Sequence, residues 1–118
     1  KINKGGEIFF VGSNGKLTKT DFSKDQLPFI FGNPKIDDFL SLKIIIDQSK
    51  ISYDDIKNLY FFPSKRWDIE LRNKIILKLP RENVRNALDD VFRLLKNDNI
   101  KNIKTIDARV KNQIILND

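Results

Sequence analysis

The side chains of this chain that could do acid–base chemistry are carboxylates. Asp68 and Glu70 stand two residues apart in Trp67-Asp68-Ile69-Glu70-Leu71-Arg72, and Asp107 stands in Ile106-Asp107-Ala108-Arg109. A hydrolase of this composition would have to work with such groups alone, because the 118 residues contain no His and no Cys. That gap removes the usual general base near neutral pH, the usual zinc ligands and every thiolate mechanism. Asp68 and Glu70 also alternate with Trp67, Ile69 and Leu71, the period-2 pattern of a strand with one dry face. Alternation puts both carboxylates on the wet face and explains them without chemistry. Asp37 and Asp38 form a second acidic pair, which the dipole of a helix N-terminus accounts for. No catalytic residue, metal site, cofactor or small-molecule substrate is therefore expected.

The remaining functional signal is basic. With 22 Lys and Arg against 16 Asp and Glu, the net charge is +6, which invites a reading as a module for an anionic polymer or a membrane surface. The lysines are spread along the chain instead of forming a block, and Arg, whose planar fork suits phosphate, is the minority. Nucleic-acid binding is not expected. No apolar run approaches the roughly 18 residues of a membrane span, and no stretch resembles a signal peptide.

The length fits one domain with one core over residues 1–118. Glu7 to Val11 reads as a strand closed by a turn at Asn14-Gly15, with Lys16 to Thr18 returning and a polar loop from Thr20 to Gln26. Leu27 to Gly32 contains Pro28, which lacks a ladder donor, so an edge strand or an extended segment is expected there. Asn33 as N-cap and Pro34 at the first helical position predict a helix from Lys35 to about Ser49, with Ile36, Phe39, Leu40, Ile44 and Ile46 toward the core. A strand follows from Ile56 to Phe62, turning at Pro63-Ser64. For Trp67, Ile69 and Leu71 to share a face with Ile75, Leu77 and Leu79, Leu71 must oppose Ile75. The three-residue loop that results requires Asn73 or Lys74 to take a left-handed backbone. Val84, Leu88, Val91 and Leu95, widened by Ala87 and Phe92, predict a helix from Glu82 to Lys96, with Arg85, Asp89, Arg93 and Lys96 toward water. After a break at Asn97-Asp98-Asn99, strands are expected at Ile103 to Arg109 and Gln113 to Leu116 about a turn at Lys111-Asn112. The expected fold is α+β, a mostly antiparallel sheet with two main helices.

Taken in order, several of these segments resemble the periplasmic β domain of the FtsQ/DivIB family of bacterial cell-division proteins. The matching segments are the turn Asn14-Gly15-Lys16, Leu27-Pro28 with Gly32, Trp67 to Asn73, Leu77-Lys78-Leu79-Pro80, the helix beginning near Asn83, and Ile106-Asp107-Ala108-Arg109. Lys74 stands where the family commonly has glycine, and Ala108 where it commonly has leucine. The resemblance implies a non-enzymatic scaffold that recruits FtsB and FtsL and supports septum formation. It also implies that a membrane helix and a POTRA domain precede Lys1, with this domain in the periplasm of a single-pass inner-membrane protein. Carried over residue by residue, Arg109 stands at a partner-facing arginine, and Lys65 or Arg66 at a basic position on the neighbouring strand. A last strand that ends the sheet leaves a free edge for strand addition, with Val110, Lys111, Ile114 and Leu116 as its candidate residues.

Overall fold

A computed structural model describes residues 1–4, 7–11, 17–18, 27–96, 102–110 and 113–117, with the backbone alone over 2–4, 7–11 and 17–18. Nine strands among these residues form one sheet. They are β1 (Ile2–Lys4), β2 (Glu7–Val11), β3 (Leu17–Thr18), β4 (Phe29–Phe31), β5 (Ile56–Phe61), β6 (Trp67–Leu71), β7 (Ile76–Lys78), β8 (Thr105–Val110) and β9 (Gln113–Asn117). Their spatial order is β3-β2-β1-β4-β5-β6-β7-β8-β9. Five neighbouring pairs are antiparallel and three, β1 with β4, β4 with β5 and β7 with β8, are parallel. The chain is thus α+β with a mostly antiparallel sheet, as its patterning predicts.

Parallel neighbours need a crossover, and for two of the three pairs a helix supplies it, while β2 and β3 lie between β1 and β4 in the chain. Helix α1 (Ile36–Gln48) links β4 to β5, and α2 (Val84–Leu95) links β7 to β8. The core lies between the helices and one face of the sheet, where Ile46, Leu59, Ile69, Leu77, Leu88 and Ile106 are fully buried. Trp67 belongs to it, 6 % exposed and tilted against Phe61 with ring centroids 4.8 Å apart. The β6–β7 hairpin has the expected register, with Ile69 opposite Leu77 and the Leu71 N–H donating to Ile75 O at 2.9 Å. Its loop puts Lys74, one of the two residues open to that role, in the left-handed region at φ 76°.

Four expectations are corrected. The strand after Pro28 is an interior one, between β1 and β5; pairing with β5 begins at Phe29, so the missing proline N–H falls outside that ladder. Helix α1 is capped by Lys35, not Asn33, because the Asp38 carboxylate accepts the Lys35 N–H at 3.0 Å and fixes the start. Along α1 it is Leu42 that is buried, whereas Ile44 is 56 % exposed: in the run of three isoleucines Ile46 is fully buried, Ile45 packs partly against the core, and Ile44 points away. Asp68 is not on a wet face but 8 % exposed. The sequence also missed β1, and the short 3-10 turn at Tyr53–Asp55. Gly32 is required where it stands: its φ is 97°, and a Cβ would lie 2.3 Å from Phe61 O. The turns expected at Asn14-Gly15 and Lys111-Asn112, the loop from Thr20 to Gln26 and the break at Asn97 to Asn99 lie outside the described residues.

Candidate functional site

Register places a row of charges on the sheet face that carries no helix. Asp68 on β6 is opposite Lys78 on β7, and Lys78 is opposite Asp107 on β8. β6 and β8 run in opposite directions and carry their arginines in opposite order, Arg66 two residues before Asp68 and Arg109 two residues after Asp107. Both arginines therefore lie to the same side of the row. Arg66 Nη1 donates to Asp68 Oδ1 at 3.2 Å and to Leu79 O at 2.9 Å, and its guanidinium lies 5.0 Å from the centroid of the Phe62 ring. Arg109 grips Asp107 twice, Nε to Oδ1 at 2.9 Å and Nη2 to Oδ2 at 2.6 Å, while its backbone N–H donates to Oδ1 at 3.1 Å.

The two aspartates respond in opposite senses. The hydrogen bonds from Arg109 hold the Asp107 carboxyl below its ordinary range, with the positive charges of Arg109 and Lys78 helping against burial. Burial pushes Asp68 up, and the attraction of Arg66, Lys78 and Arg109 only partly offsets it. Glu70 is lowered by hydrogen bonds from the Tyr60 hydroxyl at 2.6 Å and the Asn58 amide at 3.0 Å. Each carboxylate that could have entered acid–base chemistry is thus engaged by its own donors, and a lysine stands between the two aspartates.

Beside this row the sheet ends. Among the described residues strand β9 is outermost and pairs only with β8, in a register that shifts between Asp107 and Val110. Apolar side chains are exposed there: Val110 at 54 %, Ile115 at 41 % and Leu116 at 38 %. On the helix side a groove of about 470 Å³ runs between α2, through Asn86, Ala87 and Asp90, and the β8–β9 hairpin, through Ala108, Val110 and Ile114; Arg109 borders it as well. A long apolar side chain has room in a groove of that size, next to backbone that no strand covers.

The residues singled out in the sequence divide accordingly. Arg109, Val110, Ile114 and Leu116 meet at this edge, Ile114 half-buried against the core and Leu116 opposite Ile106. Arg66 joins Arg109 near Asp68, whereas Lys65, at φ 64°, lies in the turn and lines a shallow pocket on the helix side with Trp67 and Val84. Lys111 lies outside the described residues. Sequence reasoning missed Asp68, Lys78 and Asp107 as one row. Their signal was an Asp two residues from an Arg in each of two strands, which becomes informative only once the strands are known to be neighbours.

Among the described residues no helix is long and apolar enough to cross a membrane. No curated protein matches the chain. The family model for the C-terminal part of the cell division protein FtsQ/DivIB does match, over residues 2–109, from β1 to the arginine of the charge row and stopping short of β9. A match of that extent, to a family whose α+β fold is the one observed, makes this chain a member of the FtsQ/DivIB family of cell-division proteins.

Proposed function

We propose that the domain is a non-catalytic docking module of the divisome that takes an extended segment of FtsB, with FtsL in the same assembly, by strand addition to β9. In the whole protein it would be held in the periplasm by a single membrane helix that precedes it. The observation that carries this reading is the open edge of β9, with Val110, Ile115 and Leu116 exposed beside a groove. Main-chain groups of an edge strand supply affinity in such a mode, and side-chain pockets beside it supply specificity. Arg109, Val110, Ile114 and Leu116 belong to the proposed surface, Lys111 continues it along the chain, and Arg66 rather than Lys65 is its second basic residue. Neutralisation of both arginines by neighbouring aspartates argues against the alternative of an anionic polymer or membrane surface, which would need free positive charge.

Titration of the domain with the soluble periplasmic segment of FtsB tests the reading. Arg109→Gln is expected to weaken binding by roughly tenfold or more, and truncation after Asn112 to abolish it. Affinity should change little between low and moderate salt, whereas a phosphate binder would lose it steeply. Unchanged affinity in both variants, each shown to be folded by its cooperative urea transition, would place the partner elsewhere.

A further inference from the structure

A guanidinium offers donors along two edges, one formed by Nε with an Nη and the other by the two Nη groups. Asp107 occupies the first edge of Arg109 completely, through Nε and Nη2. On the second edge no acceptor among the described residues meets Nη1, and the Arg109 side chain is 44 % exposed. The carboxylate that does the holding is itself 11 % exposed and is fixed by its second role, accepting the Arg109 backbone N–H where the β8–β9 register shifts. One aspartate thus orders both the bulge and the direction in which the arginine points.

We propose that Asp107 is a positioning residue, which aims the free Nη1–Nη2 edge of Arg109 at a carboxylate of the docking segment. The inference rests on the docking reading above and adds what sets its specificity. Asp107 cancels most of the charge of Arg109 at a distance, so the arginine recognises a planar acceptor by geometry and not by net charge. The two bases of recognition predict opposite signs for Asp107→Asn. Removing a negative charge makes the site more positive, so recognition by charge would tighten binding of an acidic segment. Recognition by geometry weakens it, because the amide NH2 that replaces Oδ2 repels Nη2 and frees the side chain to rotate. The remaining amide oxygen still accepts the Arg109 backbone N–H, so the bulge keeps its bond.

The test titrates the same FtsB segment into Asp107→Asn, Arg109→Gln, Arg109→Lys and the double variant Asp107→Asn with Arg109→Gln. Asp107→Asn is expected to weaken binding by roughly tenfold in the wild-type background and to change nothing further in the Arg109→Gln background. Arg109→Lys, which keeps the charge and loses both edges, should bind as weakly as Arg109→Gln. In the free domain the Arg109 Nε–H resonance should exchange slowly with water, and faster in Asp107→Asn. Equal or tighter binding by Asp107→Asn while Arg109→Gln weakens it would overturn the positioning role and leave the docking reading standing. An Asp107→Asn loss of the same size in the Arg109→Gln background, or wild-type affinity in Arg109→Lys, would also overturn it. Arg109→Gln and truncation after Asn112 both without effect would overturn the two readings together.

Discussion

The β6–β7 and β8–β9 hairpins are built differently. β6–β7 keeps one register from Asp68↔Lys78 to Glu70↔Ile76 and buries Ile69 and Leu77 fully. β8–β9 shifts register between Asp107 and Val110 and leaves Val110, Ile115 and Leu116 exposed. Position explains the contrast: among the described residues the first hairpin has a strand on each side, β5 and β8, and the second has none beyond β9. A strand with two neighbours finds its ladder partners within the chain, and its alternation of apolar and polar residues then fixes the rest. An edge strand must instead remain unpaired without inviting copies of itself, and a bulge with a charged residue beside it is a common way to do so. The same features are what the proposed docking mode would use.

The largest effect that would test this division is on stability. Trp67→Ala is expected to cost roughly 3 to 5 kcal/mol, since it empties a core position between the sheet and the helices. Leu116→Ala at the exposed edge should cost less than about 1 kcal/mol. Urea denaturation measures both. Comparable losses would mean that β9 is as much a part of the core as β6, and the contrast between the hairpins would fail.

How much of this was legible in the sequence follows the same division. The β6–β7 register, the need for a left-handed residue at Asn73 or Lys74 and the apolar stripe of α2 follow from local alternation and helical spacing, because each of those segments meets a single uniform apolar surface. What escaped depends on neighbours distant in sequence. Pro28 signals an edge only if its own N–H would fall in the ladder, and the strand begins one residue later. Asp68 alternates as a solvent-facing residue should, yet it is 8 % exposed, with the Arg66 side chain bonded to it and Lys78 opposite it on the next strand. Along Ile44-Ile45-Ile46 composition is blind, since which isoleucine is buried depends on how α1 lies on the sheet. Arg109 drew attention in the sequence through the resemblance of Ile106-Asp107-Ala108-Arg109 to the family. Its fixed direction was not legible, because that is a property of its bond to Asp107.

The aspartates extend the comparison to pH, one in each hairpin. Asp107 is lowered chiefly by hydrogen bonds from Arg109, so its folded state binds the proton more weakly than the unfolded chain. Its contribution to stability is therefore present above the ordinary aspartate range, near pH 4, and is lost as pH falls through the folded value below it. Asp68 is raised by burial, which reverses the sign: its contribution is greatest below the ordinary range and is lost as pH rises through the raised value. Stability profiles by urea denaturation from about pH 7 to about pH 3 should accordingly separate the two variants. Asp107→Asn should flatten the loss of stability in acid, and Asp68→Asn should steepen it. Profiles that change alike would show that the row titrates as one unit and not as two differently held carboxylates.

The smallest effect concerns the loop that closes the regular hairpin. Lys74 at φ 76° and Lys65 at φ 64° both hold left-handed backbone, in loops of the same construction. The Lys74 N–H donates to Leu71 O at 2.9 Å, and the Lys65 N–H to Phe62 O at 2.8 Å. A residue with a β-carbon pays roughly 1 to 2 kcal/mol for that conformation, whereas glycine adopts it freely but adds about 0.5 to 1 kcal/mol of freedom to the unfolded chain. The first quantity exceeds the second, and the Lys74 side chain is exposed, so its removal forfeits no core packing. Lys74→Gly is therefore expected to stabilise the domain by roughly 0.5 to 1 kcal/mol, read as a higher urea midpoint at unchanged slope. Affinity for the FtsB segment should stay at the wild-type value, because the loop belongs to the regular hairpin and lies outside the proposed docking surface. A gain in stability accompanied by a change in affinity would show that the two hairpins are coupled through β7 and β8, and that the regular one helps to set the shape of the edge.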